Sequence, residues 1–397
     1  MRSFTSNSPR LLLSTHKCVF SGAALAVLML AGCNRNQEPV APPKPAPPTK
    51  ISQADLAKHK PNEAGAVMVL MYHRIDADEA DNDLNRKPDT FRKDLETLYN
   101  KGYRPVTALE FVENRMDIPA GKTPVVITFD DALPTQFHIK TGANGKAVID
   151  RDCAVGIMQK FHEKHPDWAT KATFFVLPKE GRNSDPFGQA ETVGDKFSFL
   201  AKNGYEIANH SATHANMRGM SAGQVRRELA TARRSVQQIN PEAAMQTLAL
   251  PYGKLPRDNG ARLALMSGTD GGSSYANKGV FMAAWRPNLS PITRRDKTLS
   301  EGGKVCVFDP ARLERVTPNA RKPNEPGTFE YWLKYFDANP SLRYISDGSA
   351  NIVAVPASRK NAVDAARIQG QGKILHIYGG ANSSSGGKPG GSSLGVE

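Results

Sequence analysis

Two acidic residues and two histidines stand at positions where their side chains could do chemistry together. Asp130 and Asp131 end an apolar run, and buried carboxylates there need a cation or a proton to offset their desolvation. His210 and His214 follow another apolar run, and histidines four residues apart share one face of a helical turn. Two imidazoles and one carboxylate would bind a divalent cation and leave positions for water, as a catalytic metal site requires.

The elements that must position these residues alternate between strands and helices. Near-continuous apolar runs are typical of strands buried on both faces of a parallel sheet. The sequence predicts strands over Val67–His73, Pro124–Phe129, Ala172–Leu177, Tyr205–Ala208 and Thr247–Leu250. It predicts helices over Thr90–Asn100, Asp195–Asn203, Ser221–Ile239 and Arg257–Ser267. This alternation predicts an α/β architecture, either a barrel or a doubly wound sheet.

Three motifs resemble those of the polysaccharide deacetylase (NodB-homology) family. They are Thr128–Asp131, His210–His214 and Leu250–Gly253, and the resemblance extends over residues 67–266. It implies the fold class of a deformed (β/α) barrel with its site at the carboxyl ends of the strands. It also implies a hydrolase that removes acetyl groups from a polysaccharide.

The resemblance implies a role for each residue that matches a motif. Asp130 is similar to the general base, and Asp131 to the metal-binding carboxylate, with His210 and His214 completing the metal site. Zn²⁺ is the expected ion, and Fe²⁺, Co²⁺ and Ni²⁺ stay open because these ligand types do not select among them.

Later motifs imply further site residues. Pro251 and Tyr252 resemble substrate-binding positions, and the backbone N–H of Tyr252 would donate to the tetrahedral oxyanion. His376, in the Ile374–His376 segment, resembles the general acid that protonates the leaving group. Asp347 could tune that imidazole, and Trp285 or Trp332 could form a wall of the acetyl pocket.

The sequence departs from the family pattern at two positions. Ala132 follows Asp131 where the family usually has glycine, which implies a modest change in loop freedom. Ala249 stands where the family usually has the arginine that orients the base. Another arginine must take that role, or the base is less firmly held.

The N-terminal region predicts export and lipid anchoring. Residues 1–32 combine basic residues with an apolar run too short to span a bilayer, which indicates a signal peptide. Leu30–Cys33 resembles a lipobox, which makes Cys33 the predicted lipidation site. Asn34 favours the outer membrane, facing the periplasm, if the organism is Gram-negative. Residues 33–60 form a proline-rich tether between the lipid and the folded body.

The remaining sequence divides into a folded body and a tail. Residues 61–378 are predicted to form the barrel, with insertions near 133–155 and 288–326, the first of them a loop or hairpin. Residues 379–397 are rich in glycine and serine and are predicted to be disordered. Cys153 and Cys306 could pair in an oxidising compartment, but two isolated cysteines do not decide this.

Composition limits the remaining function classes. The 397 residues carry a formal net charge of +13, but the basic residues are scattered and no nucleic-acid-binding module is present. The expected partners are an acetylated envelope or exported polysaccharide and a membrane through the lipid anchor. N-acetylhexosamine units are the first expectation, because the family mostly cleaves amides, and O-acetyl esters stay open. Two alternatives stay open: a non-catalytic glycan-binding lipoprotein that retains the barrel, and a metal-binding envelope protein without hydrolase activity.

Overall fold

A computed structural model describes residues 50–178, 185–318 and 325–379 of the chain. Within these ranges the strands are β1 (Ala66–Tyr72), β2 (Tyr103–Val106), β3 (Thr123–Asp130), β4 (Ile139–Thr141), β5 (Ala147–Ile149), β6 (Thr173–Val176), β7 (Glu206–Asn209), β8 (Thr247–Ala249), β9 (Ser267–Asp270), β10 (Ser273–Ala276), β11 (Gly279–Ala283), β12 (Asn288–Leu289), β13 (Leu313–Arg315), β14 (Ile352–Pro356) and β15 (Ile374–Tyr378).

The helices of the same ranges are α1 (Gln53–His59), α2 (Pro88–Asn100), α3 (Ala108–Val112), α4 (Ala154–Lys164), α5 (Val193–Lys202), α6 (Ala222–Ile239), α7 (Asn259–Met266), α8 (Phe329–Ala338) and α9 (Ala365–Gly370). Local sequence explains their boundaries. In α6, for example, Ser221 and Gln224 form a capping box at the start, and Val225, Leu229 and Val236 are buried. The predicted strands and helices all occur, with ends shifted by one or two residues.

Parallel strands form the wall of a barrel in the order β1, β3, β6, β7, β8, β11, β13. The ring closes where β13 continues alongside β1. The N–H of Met71 donates to the Val316 carbonyl at 3.0 Å, and the N–H of Val316 donates to the Val69 carbonyl at 2.7 Å. Of the two architectures that the strand pattern left open, the barrel is therefore confirmed.

Side chains alternate between the interior of the barrel and the helices outside it. Val67 and Val69 of β1, Val126 of β3, Phe175 of β6 and Phe281 of β11 belong to one buried cluster to which every strand of the ring contributes. The intervening residues of β1 and β3 pack in another cluster with residues of α2 and α4. Because successive residues of a strand face opposite sides, this alternation determines which residues beyond each strand end face the interior.

The two segments predicted as insertions differ in what they form. Residues 133–155 contain the hairpin of β4 and β5, as the sequence predicts. Residues 288–326 include β12, which pairs antiparallel with β1, and β13, which closes the ring. The sequence analysis missed this structural role.

The structure describes only some of the residues with predicted roles in disulfide bonding and membrane attachment. Cys153 and Cys306 are both buried and free, so they do not form a disulfide. Cys33 and the tail from residue 380 lie outside the described residues. Among the described residues, no helix combines the length and the apolar character needed to span a membrane.

Candidate active site

The barrel brings four polar side chains together at the carboxyl ends of its strands. His73 follows β1, Asp130 ends β3, His210 follows β7 and Arg315 ends β13. Each residue continues the inward-facing alternation of its strand, since it lies an even number of residues after a residue of the interior cluster. Strand periodicity therefore directs all four side chains to the mouth of the barrel.

Asp131, His210 and His214 form the predicted metal-binding cluster, the triad of the site. The Asp131 Oδ1 atom lies 3.3 Å from His210 Nε2 and 3.4 Å from His214 Nε2, and all three ligand atoms lie within 4.8 Å of one another. His210 is buried, whereas Asp131 and His214 are half-buried. The convergence of these residues agrees with the sequence prediction.

The donor atoms suit a divalent cation. Asp131 Oδ1 is buried and accepts no hydrogen bond. The Nδ1 atom of His210 lies 2.9 Å from the Ala249 carbonyl, to which it can donate, so that Nε2 keeps its lone pair directed at Asp131. A carboxylate oxygen without a partner and an imidazole oriented by a carbonyl are the features expected of a site with two histidines and one carboxylate. These residues therefore fit the metal that the sequence implies.

The segment between the histidines is a bent loop without a helical turn, which corrects the expected helical turn. Ser211 and His214 both adopt positive φ angles, 67° and 53°. Glu228 of α6 holds the loop: its carboxylate accepts from the N–H groups of Ala212 at 3.2 Å and Thr213 at 3.0 Å, and from the Thr213 hydroxyl at 2.9 Å. The two imidazoles converge because of this support and not because of helical spacing.

Several residues other than glycine adopt left-handed backbone conformations around the site. Besides Ser211 and His214, they include Asp131 (φ 75°), Ala132 (φ 48°) and Tyr252 (φ 59°). Such conformations cost energy outside glycine and persist where the surroundings impose them. Ala132 stands where the family usually has glycine, and its carbonyl accepts from the Phe187 N–H at 2.7 Å, which helps to hold it.

Arg315 holds the predicted base, Asp130. Its Nη1 and Nη2 atoms donate to Asp130 Oδ1 at 2.6 Å and Oδ2 at 2.8 Å, and both side chains are almost fully buried. A two-bond pair of this kind fixes the direction of the carboxylate as well as its charge. Arg315 thus occupies the place of the arginine that is missing at Ala249, from a different strand.

His73 lies on the other side of Asp130 and was not predicted as a site residue. Its Nε2 atom is 3.7 Å from Asp130 Oδ2, and its Nδ1 atom is buried without a hydrogen-bond partner among the described residues. Buried Gln136 donates to the backbone carbonyls of both His73 and Asp130, and so ties the two strand ends together. The signal available in the sequence was the position of His73 directly after an apolar strand.

His376, the predicted general acid, lies at the opposite end of the barrel. It pairs in register with Ala354, which is hydrogen-bonded through its backbone to Glu63 and Asp347. Glu63 precedes the seven-residue strand β1, whereas His73 follows it, so about 23 Å of strand separates the two ends. The structure therefore corrects the roles predicted for His376 and Asp347, since neither reaches the triad.

Pro251 and Tyr252 lie in the turn that follows β8, close to the triad. The ring of Tyr252 is 60% exposed, and its centroid is 4.9 Å from that of His214. Trp285 follows β11 and is 44% exposed, and its backbone N–H donates to the Arg315 carbonyl at 2.9 Å. Trp332 is buried, and its indole N–H donates to the Trp285 carbonyl. Trp285, and not Trp332, is therefore exposed beside the site.

The charges of the site shift the pKa values of its members. Burial raises the pKa of Asp130, but Arg315 and His210 lower it more, so it lies below its usual value. The pKa of Asp131 is lowered against burial by His210, His73 and His214. Burial lowers the pKa of His73 despite both carboxylates. Both carboxylates are consequently ionised near neutral pH, and Asp130 can accept a proton.

The fold and site together define a (β/α) barrel with a candidate catalytic metal site at its carboxyl end. Residues 161–266 match the model of the family described as Polysaccharide deacetylase. This match confirms the resemblance and the hydrolase class predicted from the motifs. The match includes the segments of both histidines and of Tyr252, and it begins after Asp130 and Asp131.

Several solved structures that are similar to this chain are named as deacetylases. A Bacillus anthracis protein named as a polysaccharide deacetylase is 17% identical, with a TM-score of 0.45, and the alignment covers 64% of each chain. A Bacillus cereus polysaccharide deacetylase is 16% identical, with a TM-score of 0.47 and 68% of each chain covered. The Streptococcus pyogenes deacetylase PplD, in complex with acetate, is 16% identical, with a TM-score of 0.45, and the alignment covers 68% of this chain and 97% of that one.

Proposed function

We propose that this protein is a metal-dependent hydrolase that removes acetyl groups from a polysaccharide, most plausibly from N-acetylhexosamine units. The observation that carries the proposal is the position of Asp130. Its carboxylate is ionised, is fixed by two bonds from Arg315, and lies 3.9 Å from His210 of the metal-binding cluster. A base held beside an electrophilic ion is the arrangement that hydrolysis of an amide or ester needs.

Each residue of the site has a part in this reaction. Asp131, His210 and His214 would hold the divalent cation, with Zn²⁺ the first expectation. When bound, the cation supplies Lewis-acid polarisation of the acetyl carbonyl and makes water more acidic. Asp130 accepts the proton from the attacking water, and the backbone N–H of Tyr252 donates to the developing oxyanion.

His73 is the group that would return a proton to the leaving amine. It lies across Asp130 from the triad, and its Nε2 atom faces the same carboxylate at 3.7 Å. Because burial lowers the pKa of His73, this imidazole is neutral near pH 7 and becomes a donor only after it accepts the proton that Asp130 takes from water, which it would then pass to the leaving nitrogen. This assignment replaces the one predicted for His376.

The place of action follows from the N-terminal sequence. Cys33 would be lipidated after removal of residues 1–32, and the proline-rich segment that precedes α1 would act as the tether. Of the predicted tether, residues 33–60, Gln53–His59 instead forms α1 with Leu56 buried. The protein would then work in the cell envelope, at the outer membrane facing the periplasm in a Gram-negative organism. Its substrate would be an envelope polysaccharide or one in transit through the envelope.

Acetate release from a panel of acetylated oligosaccharides tests the function. We expect release with Zn²⁺, Fe²⁺, Co²⁺ or Ni²⁺ added back after chelation, and at least a 100-fold loss of kcat in Asp130→Asn, the order expected for a general base. Asp195→Asn removes an exposed carboxylate of α5 and should retain activity.

Binding without hydrolysis would decide for the alternatives. If metal-loaded protein binds glycans but releases no acetate from any of the panel, the non-catalytic glycan-binding protein is favoured. If it binds metal alone, the metal-binding protein is favoured. The absence of an arginine at position 249 no longer supports either of these two alternatives, because Arg315 orients Asp130.

A further inference from the structure

A basic cavity lies beside the turn that carries Tyr252. Its volume is about 560 Å³, and its lining includes five basic residues against one acidic residue, Asp309: Arg218, Lys254, Arg257, Arg262 and Arg312. Leu255, Met282 and Ala311 supply apolar surface. Because apolar walls exclude water, they strengthen the attraction of these cations for an anion.

Most of these cations lack an acidic partner. Within the described residues, the side chains of Arg218, Lys254, Arg257 and Arg312 make no hydrogen bond or ion pair, in contrast to the paired arginines elsewhere in the barrel. Asp309 is partly engaged, since its Oδ1 atom accepts from the Ala311 N–H at 3.1 Å and lies 4.0 Å from Arg295. The cavity therefore has an excess of positive charge that the chain itself does not neutralise.

The cavity borders the turn that carries Tyr252 beside the candidate active site. Gly253 lines it and directly follows Tyr252, whose ring packs against His214, and Arg218 lies four residues beyond His214. A polymer that extends from the triad past the exposed Tyr252 ring would reach the cavity.

A second cavity extends the same basic surface. Its volume is about 430 Å³, and it shares Asp309 and Arg312 with the first. It adds Arg295 and Lys297 to the surface, whereas a third basic residue of its lining, Arg286, is paired with Glu314 and adds no excess charge. Two adjoining cavities of this kind have room for successive charged groups of one polysaccharide.

We infer that these cavities form a subsite for the anionic groups of an acidic polysaccharide, whose carboxylate or phosphate groups bind to Arg257, Arg312 and their neighbours. Guanidinium groups suit both anions because their planar donors bind two oxygens at once. The inference rests on the proposed function, and it narrows the substrate class from acetylated glycans in general to those that carry negative charge.

Binding of unacetylated oligosaccharides tests the subsite without any need for hydrolysis. Calorimetry at low ionic strength would compare tetragalacturonate, the neutral chitotetraose and inorganic phosphate. We expect the double variant Arg257→Gln/Arg312→Gln to weaken tetragalacturonate binding at least tenfold, as loss of charge-assisted contacts predicts. The matched control Lys202→Gln/Arg227→Gln removes the same charge from exposed positions outside the cavities and should change it less than twofold.

Three results would overturn the subsite. They are equal binding of the acidic and neutral oligosaccharides, equal losses in the double variant and its control, and inorganic phosphate binding as tightly as tetragalacturonate. The last would indicate a site for a free anion instead of a polysaccharide. If the expected binding differences occur but no acetylated substrate releases acetate, the subsite stands and the deacetylase proposal fails.

Kinetics on acetylated substrates adds a second readout. In the double variant, we expect KM to rise for an acetylated acidic chain and to stay unchanged for a neutral acetylated chain, with kcat unchanged for both. A fall in kcat on the neutral chain would show that the substitutions disturb the metal site, and would count against a separate subsite.

Discussion

The orientation of Asp130, the proposed base, depends on an arginine at an unexpected position of the barrel. Asp130 faces the interior at the end of β3. Position 249 is filled by a fully buried alanine, and Arg315 reaches the same carboxylate from the end of β13. For the proposed reaction, the geometry of the carboxylate–guanidinium pair matters more than the sequence position of the arginine.

Substitution of Arg315 should affect both stability and catalysis. Arg315→Met leaves Asp130 buried with its strongest partner removed, and we expect unfolding free energy to fall by about 3–5 kcal/mol. The kcat for acetate release should fall at least tenfold with KM little changed, and Arg315→Lys should recover part of it, because a lysine restores charge but not the two-bond geometry.

A surface pair provides the control for Arg315. Arg92 bonds with Asp89 and Asp152 at exposed positions, so Arg92→Met should cost less than about 1 kcal/mol in a urea titration and leave kcat intact. Equal stability losses in Arg315→Met and Arg92→Met would contradict the part assigned to the buried pair.

At the scale of elements, the sequence predicted the strands and helices that carry a periodic apolar pattern, and it missed the short strand β13. The apolar strands β1, β3, β6, β7 and β8 and the helices between them were recognised, because each carries a continuous pattern. Strand β13 has three residues, too few for a pattern, and only its pairing with β11 and its contact with β1 define it.

The site residues likewise divide into those that a sequence motif reveals and those that only the tertiary structure reveals. Asp130, Asp131, His210 and His214 were predicted because they stand in compact motifs. Arg315 belongs to no such motif, and His73 was noted only as the end of a strand. His376 matched a short motif, but β15 pairs with β14 in a separate sheet at the other end of the barrel. Three residues of local sequence do not determine such a tertiary position.

The turn after β8 provides a prediction about how elements fit together. Gly253 has a φ of 63°, and a Cβ added to it would lie 2.4 Å from the Ala283 Cβ and 2.5 Å from the Ala283 N of β11. Gly253→Ala therefore has to push β8 and β11 apart and displace Tyr252. We expect a loss of more than about 1 kcal/mol in unfolding free energy, together with reduced acetate release.

A helical glycine gives the matched control. Gly194 lies in α5 with open space around its Cα, and Gly194→Ala should raise the unfolding free energy by about 0.5–1 kcal/mol without changing activity. If Gly253→Ala also stabilised the protein, the close approach of the turn to β11 would be wrong. Urea titrations of the two variants measured in parallel make the comparison.

At the scale of the whole molecule, the two ends of the barrel hold carboxylates in opposite ways. At the carboxyl end, Arg315 and the histidines of the site lower the pKa values of Asp130 and Asp131 and keep both ionised. At the amino end, Glu63 and Asp347 are buried beside each other, and the Asp347 N–H donates to Glu63 Oε1 at 3.2 Å. Burial raises the pKa of Glu63 well above its usual value, and Asp347 raises it further. The charge of Lys373 lowers the pKa of both carboxyl groups, and burial lowers the pKa of Lys373 itself.

The buried pair predicts a pH dependence of stability in a defined window. Burial raises the pKa of Asp347 from 3.8 to about 6, so between these values the folded protein binds more protons than the unfolded chain. The free energy of unfolding contributed by Asp347 is therefore fully present below pH 3.8 and is lost as pH rises through about 6. Asp130 and Asp131 act in the opposite direction and at lower pH, because their folded-state pKa values are depressed.

Comparison of pH slopes separates the contribution of the Glu63–Asp347 pair from the absolute stability, because Asp347 also raises the pKa of Glu63. Asp347→Asn loses one acceptor for the Ser349 or Ala354 N–H and should be less stable at every pH, so the slope between pH 4 and pH 6.5 is the informative quantity. Across this range we expect the unfolding free energy of the variant to fall by up to about 3 kcal/mol less than that of the wild type. This is the free energy that corresponds to a pKa shift from 3.8 to about 6. Asp195→Asn, at an exposed position, should keep the wild-type slope. An Asp347→Asn slope as steep as that of the wild type would mean that Asp347 is ionised in the folded protein, and that the amino end of the barrel, like its mouth, holds its carboxylates charged.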